Sequence, residues 1–120
     1  MVEDPHAAQV DAASSMTIVY WRPGCGFCTR LLRDLSELGL GHQRVNIHED
    51  SAGAVFVRGV AGGNETVPTV RVGDMALINP TVDDVVGQLA EVDPRLVPEG
   101  YEPRRPGPVG RWLRRWVHGG

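Results

Sequence analysis

The chain predicts an α/β domain: a four-stranded mixed sheet flanked by helices, in the order βαβαββα. Three observations carry that expectation. Short β-prone runs alternate with stretches whose apolar residues recur at helical spacing. The first two β-prone runs enclose one such stretch, and strands joined through a helix run parallel. The last two runs meet at the Gly-Asp pair of Val72-Gly73-Asp74, the mark of a tight hairpin.

Taken in order, residues 16–21 form the first strand around Thr17-Ile18-Val19-Tyr20. Pro23-Gly24 turns the chain, because proline cannot continue the strand. The first helix runs from about Cys25 to Leu38, with Leu31, Leu32, Leu35 and Leu38 on its inner face. Gly39 and Gly41 end it. Gln43–Ile47 is the second strand, with Val45 and Ile47 on one face. Asp50 or Ser51 caps a second helix that carries Ala54, Val55, Phe56 and Val60 and stops at Gly62-Gly63-Asn64. The third strand spans Glu65–Val72, and the fourth is Met75–Ile78. The last helix opens at Pro80-Thr81, with Thr81 and Asp84 spaced as a capping box. Its stripe of Val82, Val85, Val86 and Leu89 reads as core, and Asp93-Pro94 closes it.

These elements occupy residues 16–92, one small domain. Residues 1–15 are acidic and alanine-rich without an apolar core, so they read as a flexible leader rather than a secretory signal, and Met16 is a candidate start. Residues 93–120 read as an extension rich in proline and arginine. Within it, residues 102–108 have linker composition, and Arg111–Val117 has the spacing of two helical turns with Trp112 and Trp116 on one side. Too short to stand alone, that segment is expected to stay loose, to dock on its own domain or on a partner, or to touch an anionic membrane weakly. The net charge of −3 conceals an acidic domain and a basic tail: residues 94–120 hold six of the twelve arginines and only two of the fifteen carboxylates. No nucleic-acid partner is expected. With no apolar run of membrane-spanning length and only two cysteines, the composition fits a reducing, cytoplasmic compartment.

Those two cysteines carry the chemistry. Cys25 and Cys28 are spaced C-x-x-C where a strand gives way to a helix. The first helical turn offers unpaired N–H groups and the positive end of the helix dipole, which favour a thiolate, the reactive form of cysteine. Cys25, at the helix mouth, is the expected nucleophile. Cys28, on the same side of the first turn, is the expected resolving thiol. A zinc site would need further ligands at close spacing, and His6, His42, His48 and His118 are scattered, so no metal site is expected. A structural disulfide would close a loop too small to gain much entropy. Thiol–disulfide chemistry remains.

Pro23-Gly24-Cys25-Gly26-Phe27-Cys28, then Thr66-Val67-Pro68, then Asn79-Pro80-Thr81-Val82-Asp83 at the head of the last helix together resemble the glutaredoxins, the minimal form of the thioredoxin fold. The resemblance covers residues 16–92. It implies a cis peptide bond at Pro68 facing the cysteines, which would turn the Val67 backbone outward to pair with a substrate strand. It also implies a thiol- and substrate-binding surface of Arg22, Gly26, Phe27, Thr66, Val67, Pro68 and Asp83. The run Val60–Val70 and the Asn79-Pro80 pair are similar to mycoredoxins, actinobacterial members that work with mycothiol. Two departures from the glutathione-using pattern agree. Glu65 stands where a cation often precedes Thr-Val-Pro, and Asn79-Pro80 replaces a Gly-Gly turn. Mycothiol is a sugar-based thiol without glutathione's carboxylates, so a less basic groove suits it.

The implied activity is reduction of mixed disulfides between mycothiol and proteins, with mycothiol as co-substrate and no tightly bound cofactor. Two other functions compete. A dithiol donor, such as one feeding ribonucleotide reductase, would need both cysteines and no mycothiol. An iron–sulfur carrier would share Cys25-Gly26-Phe27, but such members have serine where Cys28 stands.

Overall fold

The computed structural model describes residues 14–102 and the backbone of residues 112–115. Strands β1 (Thr17–Trp21), β2 (Gln43–Asn46), β3 (Thr69–Val72), β4 (Met75–Ile78) and β5 (Trp112–Arg115) form one sheet in the order β2-β1-β3-β4-β5. Helices α1 (Gly26–Glu37), α2 (Ser51–Val60) and α3 (Val82–Val92) flank it. β1 runs parallel to β2 and antiparallel to β3, so the expected four-stranded mixed sheet is present, with β1 inside it.

Alternation along the strands sorts the core into two layers. Val19, Val70, Val72 and Leu77 face α1 and α3, meeting Leu31, Leu32, Leu35, Val82, Val85 and Leu89 in one buried cluster. Ile18, Tyr20 and Val45 face the other way and pack with Ile47, Ala54 and Val57 beneath α2. The expected inner faces of α1 and α3 are therefore buried, whereas α2 buries Gly53, Ala54, Val57 and Val60 and leaves Val55, one of the apolar residues expected on it, exposed. Phe56 stacks on Tyr20 with ring centroids 4.8 Å apart, and the Arg71 guanidinium sits over the Phe56 ring.

The helix ends follow the sequence signals. The Asp50 carboxylate accepts the Gly53 N–H at 2.9 Å and caps α2. Thr81 and Asp84 form the full capping box of α3, with the Thr81 N–H donating to Asp84 at 2.9 Å and the Asp84 N–H donating to Thr81 at 3.2 Å.

Two elements differ from expectation. β3 begins at Thr69, not Glu65. Pro68 has no N–H to give to a ladder, and Thr66 instead uses its carbonyl to accept the Thr69 hydroxyl at 2.7 Å. In the extension, Trp112–Arg115 is a strand antiparallel to β4, with Trp112 opposite Ile78 and Arg115 opposite Met75, rather than the expected helical turns. The edge of β4 presents a row of unpaired backbone groups, and an added strand satisfies them in a way an isolated short helix cannot. The rest of that segment, the linker run beyond Glu102, and leader residues 1–13 lie outside the described residues. Between α3 and the linker, Pro94–Leu96 makes a 3₁₀ turn, and Leu96 is buried in the main cluster. Among the described residues no helix is long and apolar enough to cross a membrane.

Gly53 sets how closely α2 approaches the sheet. A β-carbon there would stand 2.7 Å from Cγ1 of Val45 and 3.5 Å from the Tyr20 ring. Val45 is β-branched and stiff, so it has little room to give. Gly53→Ala is expected to destabilise the fold by about 1–3 kcal/mol through overpacking. A thermal melt followed by circular dichroism should show a midpoint about 5–20 °C lower.

Candidate active site

The site is built at the seam between β1 and α1. After Trp21 the chain turns through Pro23 and Gly24, and Gly24 takes φ +80°, a conformation that L side chains rarely adopt. Proline followed by a left-handed glycine is the signature of a tight turn that lets the next residue start a helix. Cys25 is that residue. It is the N-cap of α1, and its sulfur accepts the Cys28 N–H at 3.2 Å. One of the helix's unpaired donors is thus aimed at the sulfur, as the sequence position implies.

On its other side, Cys25 Sγ lies 3.7 Å from the Val67 carbonyl, and as a thiol it donates to that oxygen. The Val67–Pro68 peptide bond is cis, as the resemblance implied. Pro68 is buried and its carbonyl accepts the Asn79 N–H at 2.8 Å, which ties the loop before β3 to the end of β4. Asn79 takes φ +53°, a conformation asparagine tolerates better than most residues. Sequence reading used Asn79 as part of the motif at the head of the last helix and as a departure from a Gly-Gly turn; its role as the tie to Pro68 depends on a contact between segments that no local signal reveals.

The two cysteines differ sharply. Cys25 is partly exposed, and Cys28 is 1% exposed within the first turn of α1. Burial pushes the Cys28 thiol up to about 12, and its contact with the Cys25 side chain adds to that, while the backbone and charge of Arg22 pull the other way. At neutral pH Cys28 is therefore a protonated, buried thiol, the less reactive form of cysteine.

The other expected site residues are distributed around this centre. Arg22 is exposed, just past β1. Gly26 and Phe27 form the outer face of the first turn, with Phe27 67% exposed beside the cysteines. Thr66 and Val67 are half-buried on the approach to β3. Asp83 lies in the first turn of α3, and its carboxylate accepts a hydrogen bond from the Tyr101 hydroxyl, a partner that the sequence reading did not include. Glu65 pairs with Arg58 at 2.7 Å.

The glutaredoxin family model matches residues 17–77. A relative named as a glutaredoxin in two strains of Mycobacterium tuberculosis, CDC 1551 and H37Rv, is 39% identical over 75 residues, which is 62% of this chain and 89% of the relative. The holo form of glutaredoxin C1 from Populus tremula × tremuloides is 28% identical, with a TM-score of 0.46 over 75% of this chain and 92% of that one. On this thioredoxin-like fold a partly exposed cysteine caps a helix, with a buried thiol three residues on and a backbone carbonyl beside it. The chain belongs to the glutaredoxin family: a thiol oxidoreductase whose family implies a thiol co-substrate and disulfide-bearing protein substrates.

Burial of Cys28 has two measurable consequences. At about pH 8, iodoacetamide should add one group to the native protein, at Cys25, and a second only after denaturation, as intact mass will show. The folded thiol ionises near 12 and the unfolded one near 9, so the unfolded chain gives up its proton first. The stability this thiol contributes is complete below pH 9 and falls as pH rises toward 12. Denaturant titrations should show that fall in the wild type and a shallower one in Cys28→Ala.

Proposed function

We propose that this protein reduces mixed disulfides between mycothiol and proteins, in the cytoplasm, through Cys25. The observation that carries the reading is the asymmetry of the cysteines: one accessible sulfur with a helix N–H aimed at it, and one protonated thiol buried beneath.

The Cys25 thiolate attacks the mycothiol sulfur of the mixed disulfide. An S–S bond forms between Cys25 and mycothiol, and the substrate protein leaves as a thiolate that takes a proton from water. A second mycothiol thiolate then attacks the bound mycothiol sulfur. The products are mycothiol disulfide and a restored Cys25 thiolate, so one free mycothiol is oxidised for each protein thiol released, and the other half of the disulfide comes from the substrate. The Cys28 N–H stays with the Cys25 sulfur, and Val67, beside it, offers its backbone to an extended substrate segment.

The preference for mycothiol over glutathione rests on the similarity of Val60–Val70 and Asn79-Pro80 to mycoredoxins, and on charge. Glu65 stands where a cation would meet glutathione's carboxylate, and the nearby cation, Arg58, is paired to it at 2.7 Å. The contact between the Cys25 and Cys28 thiols favours a second reading, a dithiol donor in which Cys28 expels the product as an intramolecular disulfide. The strand at Trp112–Arg115 supports docking of the extension on its own sheet over a membrane role; co-sedimentation with anionic vesicles that depends on residues 103–120 would reverse that order.

A coupled assay with mycothiol, its reductase and NADPH should show turnover of a mycothiolated substrate, with little in parallel glutathione or thioredoxin-reductase systems. Cys28→Ser should keep most of the rate and Cys25→Ser none. Turnover only with thioredoxin reductase, lost in Cys28→Ser, moves the protein to the dithiol-donor class. Visible absorbance after anaerobic purification, bound through Cys25, moves it to cluster carriage.

A further inference from the structure

The head of α3 carries two adjacent carboxylates with different partners. Asp84 belongs to the capping box with Thr81, so the helix end is closed without Asp83. Asp83 instead accepts the hydroxyl of Tyr101, eighteen residues further on and outside the stretch of 17–77 that the family model matches.

Tyr101 is held in place by its own segment. Asp93 caps the turn at Pro94–Leu96 and forms an ion pair with Arg95 at 2.8 Å. Leu96 is buried in the main cluster, and the Tyr101 N–H donates to the Pro98 carbonyl at 3.1 Å. The phenol thus approaches Asp83 from a fixed arm. Asp83 in turn is mounted on the frame of the nucleophile. The loop leading into α3 is tied to Pro68 through the Asn79 N–H, and the residue before Pro68 supplies the carbonyl beside Cys25.

We infer that Tyr101 is a positioning residue for the low-molecular-weight thiol. Its hydroxyl fixes the orientation of the Asp83 carboxylate, so that Asp83 accepts hydrogen bonds from hydroxyl or amine donors on the non-reacting part of that thiol. An ionised carboxylate only accepts, and a phenol that gives its proton to it presents an oxygen that also accepts. The pair therefore suits a donor-rich thiol such as a polyol. This rests on the proposed reading of Cys25 as the site of exchange with a low-molecular-weight mixed disulfide.

The test is steady-state kinetics of the full chain on a mycothiol mixed disulfide of a short peptide. The variants are Tyr101→Phe, Asp83→Asn and the double. Tyr101→Phe removes one oxygen and keeps the ring, and its thermal midpoint should stay close to wild type. Its KM is expected to rise about three- to tenfold, the worth of one hydrogen bond, with kcat within about twofold. Asp83→Asn should raise KM at least as much, and the double variant should be no worse than Asp83→Asn, because Tyr101 acts through Asp83. If Tyr101→Phe leaves KM at the wild-type value, lowers only kcat or the midpoint, or multiplies with Asp83→Asn, the assignment is overturned while the function stands. If the wild type turns over no low-molecular-weight mixed disulfide but accepts electrons from thioredoxin reductase, the reading of the function fails first and takes this assignment with it.

Discussion

Cys25 is the cap of a helix, and its sulfur is the group on which the proposed chemistry turns. Its sulfur takes the Cys28 N–H that α1 cannot satisfy internally, and the rest of the domain serves to hold that sulfur where it is. β1, which delivers the chain to this point, is hydrogen-bonded on both sides, to β2 and to β3. α1, which starts here, is anchored through Leu31, Leu32 and Leu35 in the main cluster. Neither element can shift along its axis without opening that cluster, and a close-packed interior resists such movement.

The two neighbours of the sulfur suit two protonation states. As a thiol, Cys25 donates to the Val67 carbonyl at 3.7 Å. As a thiolate it has nothing to donate, and the Cys28 N–H becomes a charge-assisted partner. Cys28 itself is excluded from this exchange of roles by burial: its amide faces the nucleophile, while its thiol stays protonated in an interior that disfavours the anion. One residue thus supports the Cys25 sulfur with its backbone while its own thiol stays buried and protonated. This division follows from the helical geometry of C-x-x-C and would be lost at other spacings.

How much of this was legible in the sequence depends on the range of each interaction. α1, α3, the hairpin at Gly73-Asp74 and all of β4 were readable because their causes are local: apolar period, caps and turn residues a few positions apart. The placement of Cys25 and Cys28 was readable for the same reason. β5 was not. Trp112 and Trp116 have helical spacing, and a four-residue run carries too little pattern to decide between periods; the edge of β4, more than thirty residues earlier, decided it. The contacts of Asn79 with Pro68 and of Tyr101 with Asp83 are likewise pairings between distant segments, each made by a residue whose own neighbourhood gives no sign of it.

Charge around the site is set by side chains that contribute little to the fold. Arg58 and Glu65 are both substantially exposed, and such pairs add only about 0–1 kcal/mol to stability. Their effect is on what approaches. A lone arginine beside the Thr66-Val67-Pro68 approach would attract a carboxylate, whereas an arginine already paired at 2.7 Å presents a nearly neutral surface. The same logic holds at the head of α3, where two consecutive aspartates offset the positive end of the helix dipole. Around Cys25 the backbone supplies a donor to the sulfur, and the charged side chains differ by position: Arg22 is an exposed cation, whereas Arg58 is paired with Glu65. Under the function proposed above, a thiol recognised beside Thr66-Val67-Pro68 would bind there through hydroxyls or amines more readily than through carboxylates.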